Sequence, residues 1–375
     1  MLDLSRGPTF AFKDIALQLL GNLFEYALDK RGGHLNIVGA TSGDTGSAAE
    51  YAMLGKERIR VFMLSPKEGM SKFQRAQMYA LNEPNIFNLG SNSVFDDCQD
   101  IVKAVNADAP FKSEWKIGAV NSINWARIAA QIVYYFKGYL DLMRGNDVGK
   151  EVEFAIPTGN YGNIHAGEIA MRMGLPINRL ILATNENNVL ERAFRRGEYR
   201  PWQKNDVKQT SSPSMDIANG SNYERHVFLM TDQDGAATAA FYRQLAADGF
   251  FNLKRSPYWV NDRNSGIVAG SANEKQRRNA ILEMYNGKIR GRLIDPHTAN
   301  AVVVGTRLRE PRYPLIVLET AKSIKFAEYM GDTFGIVPEG YRDMKGLMNQ
   351  KQRYIPIGQG DTEGVKAVIR EHGLK

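Results

Sequence analysis

The chain has 375 residues, 43% hydrophobic and 24% charged, which excludes a disordered chain, a collagen-like fibre and a small disulfide scaffold and leaves room for two compact domains. Lys and Arg number 48 against 41 Asp and Glu, a net charge of +7. The densest basic run, Lys275-Gln276-Arg277-Arg278, sits beside Glu274 and Glu283 in a predicted helix. It reads as a solvated helix face, so no nucleic-acid partner is expected. No stretch is apolar enough to cross a bilayer, and the start of the chain carries neither a secretory nor a transit pattern. The five histidines lack metal-ligand spacing, so no metal is expected. Cys98 is the single cysteine and reads as a small buried apolar residue, which fits a reducing, cytoplasmic setting.

In chain order, an apolar-periodic helix is predicted from Ile15 through Leu19, Leu20, Leu23 and Phe24. A strand follows at Leu35–Gly39, then a loop through Thr41-Ser42-Gly43-Asp44-Thr45-Gly46 into a helix over Ser47–Leu54 with Gly55 as its stop. Ile59–Leu64 reads as the next strand, and Ser71 as the cap of a helix over Lys72–Tyr79. Strand, loop, helix, strand is the grammar of a parallel α/β sheet. It restarts after the polar stretch Arg144–Lys150, with strands at Val152–Ile156 (ended by Pro157), Arg179–Thr184 and Pro314–Leu318 and a helix over Ile164–Met173. These signals predict two α/β domains, residues 1–145 and 146–375. Residues 200 to 225, rich in Lys, Ser, Pro and Asn, read as a long surface excursion.

Three loops can carry chemistry. Gly7-Pro8-Thr9-Phe10-Ala11-Phe12-Lys13-Asp14 places the Lys13 amine at a helix N-terminus between aromatic neighbours. The helix dipole and partial burial both disfavour an ammonium there and expose a nucleophilic amine. Taken alone, a lysine so placed is more often a solvated one that merely starts a helix. The Thr41–Gly46 loop can grip a carboxylate with backbone N–H groups and hydroxyls, or serve only as a tight turn and cap. The loop Pro157-Thr158-Gly159-Asn160-Tyr161-Gly162-Asn163 can wrap donors around a phosphate at a helix start, or be a structural turn. Together they point to an aldehyde cofactor bearing a phosphate, bound as a Schiff base on Lys13.

These segments, with Asn121-Ser122-Ile123-Asn124-Trp125-Ala126-Arg127, Ser212–Ile217, Leu293–Ala299 and Glu319-Thr320-Ala321, resemble the threonine synthase family in the same order along nearly the whole chain. That family is of the tryptophan-synthase-β type, fold type II among pyridoxal-phosphate enzymes. The resemblance implies an α/β fold of two parallel-sheet domains with the cofactor in the cleft between them. It implies pyridoxal 5'-phosphate on Lys13, which would also move protons. The cofactor phosphate would be held by Gly159, Asn160, Tyr161, Gly162 and Asn163. Thr320 would face the pyridine nitrogen, and Asp44 would lie near the phenolic oxygen, where many relatives carry Asn. Ser42 and Thr45 would hold the substrate carboxylate, and Asn121, Asn124 and Arg127 the substrate phosphate, where a guanidinium fork suits the geometry. The implied reaction takes O-phosphohomoserine and water to threonine and phosphate.

Two rivals stand beside this reading. A dehydratase or phospho-lyase with the same cofactor would have no γ-phosphate to bind and no need of Arg127. An inactive homologue would have little reason to keep Lys13, Asp44, Thr320 and the phosphate loop. The family also carries a substantial segment ahead of its lysine motif, whereas only twelve residues precede Lys13 here. The expectation is that the coding frame continues upstream, and that the 375-residue form is less soluble and less active than a longer one. The sequence leaves the oligomeric state open.

Overall fold

The structure is a computed structural model that describes residues 1–68, 70–144, 148–287 and 292–375. Among the described residues twelve strands follow in chain order: β1 Leu2–Asp3, β2 Leu35–Ala40, β3 Ile59–Pro66, β4 Ile86–Ser91, β5 Ile117–Gly118 and β6 Val152–Pro157, then β7 Ile177–Thr184, β8 Glu198–Tyr199, β9 Phe251–Asn252, β10 Ile267–Ser271, β11 Leu315–Glu319 and β12 Ile355–Ile357. The chain divides into two compact units. One comprises Met1–Leu4 and Ile128–Ala321, the other Ser5–Arg127 and Lys322–Lys375.

The unit built from Ser5–Arg127 and Lys322–Lys375 contains a five-stranded sheet in the order β12-β4-β3-β2-β5, parallel throughout. Its central strands are nearly continuous apolar runs because both faces are covered, as parallel sheets require. Alternation sends Ile59, Val61 and Met63 of β3 into one core with Leu17, Leu20, Ala49 and Met78. Phe62 and Leu64 enter the opposite core with Leu89, Cys98, Val105, Val365 and Ile369. Each such fully buried side chain contributes about 1.5–3 kcal/mol. Burial pushes the Cys98 thiol up to about 11.

The other unit holds the sheet β1-β11-β6-β7-β10, again parallel, and a small antiparallel pair β8-β9. One face packs through Ala155, Ile181, Ala183 and Val317 against Ala301 and Val304 of the helix Pro296–Leu308. Across the sheet, Phe154 meets Tyr135 of the helix Trp125–Met143 with ring centroids 5.0 Å apart.

The units differ from the expected domains 1–145 and 146–375. The residues around that boundary, Gly145 to Asp147, lie outside those described. The chain leaves one unit at Arg127, and its last segment returns to it. There β12 pairs with the edge of β4, and helix Thr362–His372 lends Val365, Val368 and Ile369 to the core. Three local expectations also change. The helix expected from Ser47 begins at Asp44, because Thr41 Oγ1 accepts from the Gly43 and Gly46 amides (3.0 and 2.8 Å) and turns the chain early. The segment 200–225 is no simple surface excursion, since Ser212, Met215 and Asn222 are buried. Asp216 ties it inward by accepting from Asn185 Nδ2 (2.7 Å) and Asn187 Nδ2 (3.0 Å). Arg277 is wholly buried rather than solvated, paired with Glu186 (2.7 Å) and Glu274 (2.7 Å). Among the described residues no helix is long and apolar enough to cross a membrane.

Candidate active site

Seven of the thirteen site residues named from sequence lie in the unit built on β2–β5. Lys13 opens the helix Lys13–Arg31, and the loop before it is held by one carboxylate. Asp14 accepts from the Thr9 amide (3.0 Å), the Thr9 hydroxyl and the Ala11 amide (3.4 Å). The Lys13 amine lies 3.5 Å from Asp44 Oδ2 and 5.0 Å from the centre of the Phe12 ring. Its side chain is only 12% exposed. Burial lowers its pKa below that of an ordinary lysine, Asp44 opposes the shift, and Lys325 and Arg127 add to it. Lys13 is thus buried at a helix start, as expected, with burial the first cause of its lowered basicity.

Asp44 is itself buried at the start of the helix Asp44–Met53. Gly43 precedes it at φ 126°, a conformation that a side chain would strain, and an added Cβ would press on Gln74 at 2.8 Å. Gln74 Nε2 donates to Asp44 Oδ1 (3.0 Å), and Gln74 also completes a capping box with Ser71, the residue expected to cap that helix. Ser42 and Thr45 are half-buried on either side. In the third segment Asn124 Oδ1 accepts from the Ala126 amide (3.0 Å) and so caps the helix that follows. Asn121 is exposed, whereas Arg127 is buried and donates from Nη1 to the Val120 carbonyl (2.8 Å).

The other six residues, Gly159 to Asn163 and Thr320, lie in the unit built on β6, β7, β10 and β11. Gly159–Asn163 and Thr320 follow the C-terminal ends of β6 and β11, which are hydrogen-bonded neighbours. Those ends are where open α/β sheets bind ligands. The loop leads into helix Gly162–Arg172, whose first-turn N–H groups have no intrahelical acceptor. Asn222 donates from its amide (3.1 Å) and Nδ2 (3.0 Å) to the Asn160 carbonyl. Tyr135 Oη donates to the Asn163 carbonyl (2.8 Å) and meets Asn163 Oδ1 at 3.0 Å. A Cβ on Gly159 would strike the Ser214 carbonyl at 2.6 Å, so only glycine fits. The Thr320 amide donates to Thr298 Oγ1 (3.2 Å).

Tyr161 holds the left-handed conformation, φ 66°, and its ring is caged by Phe194, Tyr223 and His226 with centroids 6.1, 5.6 and 5.7 Å away. His226 stands between two buried carboxylates, Glu168 (2.9 Å) and Asp262 (3.0 Å). Burial alone would lower its pKa, but the carboxylates push it up to about 9. Burial would raise Glu168, yet His226 and His165 hold it down to about 2. Sequence reading missed this network and also Lys325, whose Nζ lies 2.8 Å from Asp44 Oδ1. Among the described residues no group of three or more His, Cys, Asp or Glu is arranged to hold a metal ion.

The donor set suits pyridoxal phosphate. In one unit Lys13 offers a buried amine of lowered basicity, and in the other the Gly159–Asn163 loop offers helix-start N–H groups beside Asn163 Nδ2. That nitrogen is buried and has no hydrogen-bond partner among the described residues. A family of pyridoxal-phosphate dependent enzymes matches residues 2–251, and the C-terminal region of threonine synthase matches residues 298–369. Fold and site therefore define a pyridoxal-phosphate enzyme with parallel-sheet α/β architecture. The threonine synthase of Methylobacillus glycogenes is 49% identical over 99% of this chain and 77% of its own length. That of Saccharomyces cerevisiae is 37% identical over the whole chain and 78% of its own. The crystal structure of pyridoxal-phosphate-bound threonine synthase from Brucella melitensis superposes with a TM-score of 0.92 at 37% identity, covering 100% of this chain and 78% of that one. The chain belongs to the threonine synthase family, and pyridoxal phosphate is its cofactor. Maize serine racemase, 13% identical with a TM-score of 0.55, shares the fold alone. The dehydratase alternative gains nothing from it.

Proposed function

We propose that this enzyme converts O-phospho-L-homoserine and water to L-threonine and phosphate in the cytoplasm, with the residue roles that follow. The carrying observation is the buried Lys13 amine, lowered in basicity and set 3.5 Å from Asp44 at the start of a helix. Lys13 would hold the cofactor through Nζ, Gly159, Asn160, Tyr161, Gly162 and Asn163 its phosphate, Thr320 its pyridine nitrogen and Asp44 the region of its phenolic oxygen. When bound, the cofactor supplies the electron sink for charge developed at the substrate's α and β carbons.

The remaining work falls to the chain. Ser42 and Thr45, at the head of helix Asp44–Met53, hold the substrate carboxylate with hydroxyl and backbone donors. Once freed by the substrate amine, Lys13 takes the proton from the α carbon on Nζ and returns protons in later steps. Its lowered basicity suits that work near neutral pH. Arg127, with Asn121 and Asn124, holds the γ-phosphate and stabilises charge on the departing group, which a buried guanidinium does better than a solvated one. Thr320 offers a neutral hydroxyl and so leaves the pyridine nitrogen without a strong proton partner. Water adds at the β carbon.

Borohydride reduction of the yellow protein, followed by peptide mapping, tests the reading. The cofactor should be fixed on Lys13 and phosphate should be released from O-phosphohomoserine. An adduct on another lysine would sink the assignment.

A further inference from the structure

Lys325 ranks among the largest fully buried side chains of the described chain. It lies in the short turn Ser323–Phe326, and its placement is over-determined. Its carbonyl accepts from Ser71 Oγ (3.0 Å), its amide donates to the Lys322 carbonyl (3.2 Å), and the Lys322 amide donates to the Phe10 carbonyl (3.1 Å). From this anchor Nζ donates to the Thr9 carbonyl (2.8 Å) and meets Asp44 Oδ1 at 2.8 Å. The same carboxylate takes Gln74 on Oδ1 (3.0 Å) and faces Lys13 on Oδ2 at the longer 3.5 Å. One carboxylate therefore serves two buried amines, and it sits closer to the one that the reaction does not use.

We propose that Lys325 is a positioning residue for Lys13, occupying Asp44 so that this carboxylate cannot act as the full counter-ion of the reactive amine. The proposal rests on the reading above in which Lys13 holds the cofactor. A carboxylate alone beside Lys13 would clamp it as an ammonium, a good ligand for Asp44 and a poor nucleophile. With Lys325 seated on Oδ1, Asp44 still orients Lys13 while most of its charge is spoken for. The charged groups acting on Lys13 are Asp44, Lys325 and Arg127. Asp14, next in the helix, is engaged by Thr9 and Ala11.

The test compares native protein with Lys325→Met, Lys325→Arg, Asp44→Asn and the double variant Asp44→Asn/Lys325→Met. After removal of the cofactor, the rate of pyridoxal-phosphate uptake is followed by absorbance against pH, with thermal midpoints and borohydride mapping alongside. In Lys325→Met the pH midpoint of uptake should rise by roughly 1–3 units, the effect of removing a nearby like charge. Lys325→Arg should stay close to native. Removing both charges should bring the midpoint back to within about half a unit of native, well below one typical perturbation. A native midpoint in Lys325→Met, or a double variant no better than the single one, overturns the proposal. If Lys325→Met does not accumulate, the double variant decides, since a midpoint displaced from native refutes the cancellation. Adducts on Lys13 with unchanged midpoints would defeat this inference alone. Adducts on another lysine would defeat the reading beneath it.

Discussion

Two buried charge clusters in this protein are near mirror images. Around Asp44 one carboxylate is shared by two amines, Lys13 and Lys325, at 3.5 and 2.8 Å. Around His226 one imidazole is shared by two carboxylates, Glu168 and Asp262, at 2.9 and 3.0 Å. Each is deeply buried, and each would be costly if its shared central group were removed. They differ in what is left over. The Asp44 cluster has one cation too many, so one amine, the Lys13 of the proposed reaction, is underpaired. In the His226 cluster every ring nitrogen is taken, and its neighbour is Tyr161, a residue in a strained backbone conformation. The lesson is that buried charge suits reactivity where one group is left underpaired and rigidity where every group has a close partner.

The largest effect should come from breaking the reactive cluster at its loose end. Lys13→Ala is expected to lower kcat by about 10⁴-fold, the upper range for a lost acid/base group, with little change in the thermal midpoint. Steady-state phosphate release and differential scanning calorimetry measure the two together. Breaking the rigid cluster should do the reverse. His226→Ala leaves Asp262 buried without its imidazole and Glu168 with His165 alone, at a cost of about 3–5 kcal/mol in denaturant unfolding. Cofactor affinity should weaken with it through the Tyr161 cage. A variant as stable as native would show that the His226 network contributes no rigidity.

Arg127 sharpens the comparison, because the reading gives it to the substrate rather than to either cluster. Arg127→Lys should lower turnover about 10- to 100-fold, the equivalent of about 1.5–3 kcal/mol for charge-assisted hydrogen bonds. Pyridoxal-phosphate loading, read by absorbance, should not change. An equal loss of loading would move Arg127 to the cofactor.

The smallest effect is a pH signature of opposite sign in the two clusters. His226, raised from 6.5 to about 9, contributes stability that is fully present below pH 6.5 and lost as pH rises through 9. Glu168, held down from 4.5 to about 2, contributes stability present above pH 4.5 and lost as pH falls through 2. Lys13 is lowered from 10.5, so the unfolded chain binds more protons just below that value and the Lys13 contribution rises with pH there. Denaturant midpoints from pH 6.5 to 9 should therefore fall less steeply in His226→Gln than in the native enzyme. Parallel slopes would contradict the assignment of charge to His226.

Much of this was legible in the residues because the signals are local. Gly43, Asp44, Gly159 and Tyr161 lie in short Gly-containing segments between a strand and a helix, a pattern visible in the residues themselves, and strands β2, β3, β6 and β7 announce themselves as apolar runs. Lys325 was illegible for the opposite reason. It reaches Asp44 from the far end of the chain, and nothing around Ser323–Phe326 signals a buried amine. Arg277 misled in the same way, since its partner Glu186 belongs to a distant segment. His226 was set aside because its spacing suits no metal, a test blind to carboxylate partners. The division into units escaped notice because it depends on β12 finding β4, a pairing that no local pattern announces.

That last pairing has a consequence for how the protein is made. The unit spanning Ile128–Ala321 lacks only Met1–Leu4 from elsewhere, and those residues precede it in the chain. Its sheet can therefore close while synthesis is still under way. The unit that carries Lys13 emerges first for the most part and finishes last. Until Ile355–Ile357 leaves the ribosome, the edge of β4 has no partner, and unpaired edges recruit other chains. Until Lys325 appears, Asp44 lacks its nearer cation. The proposed reactive centre is thus completed only after the Ile128–Ala321 unit has been made, and until Ile355–Ile357 emerges the edge of β4, two strands from β2 in the same sheet, stands open to other chains.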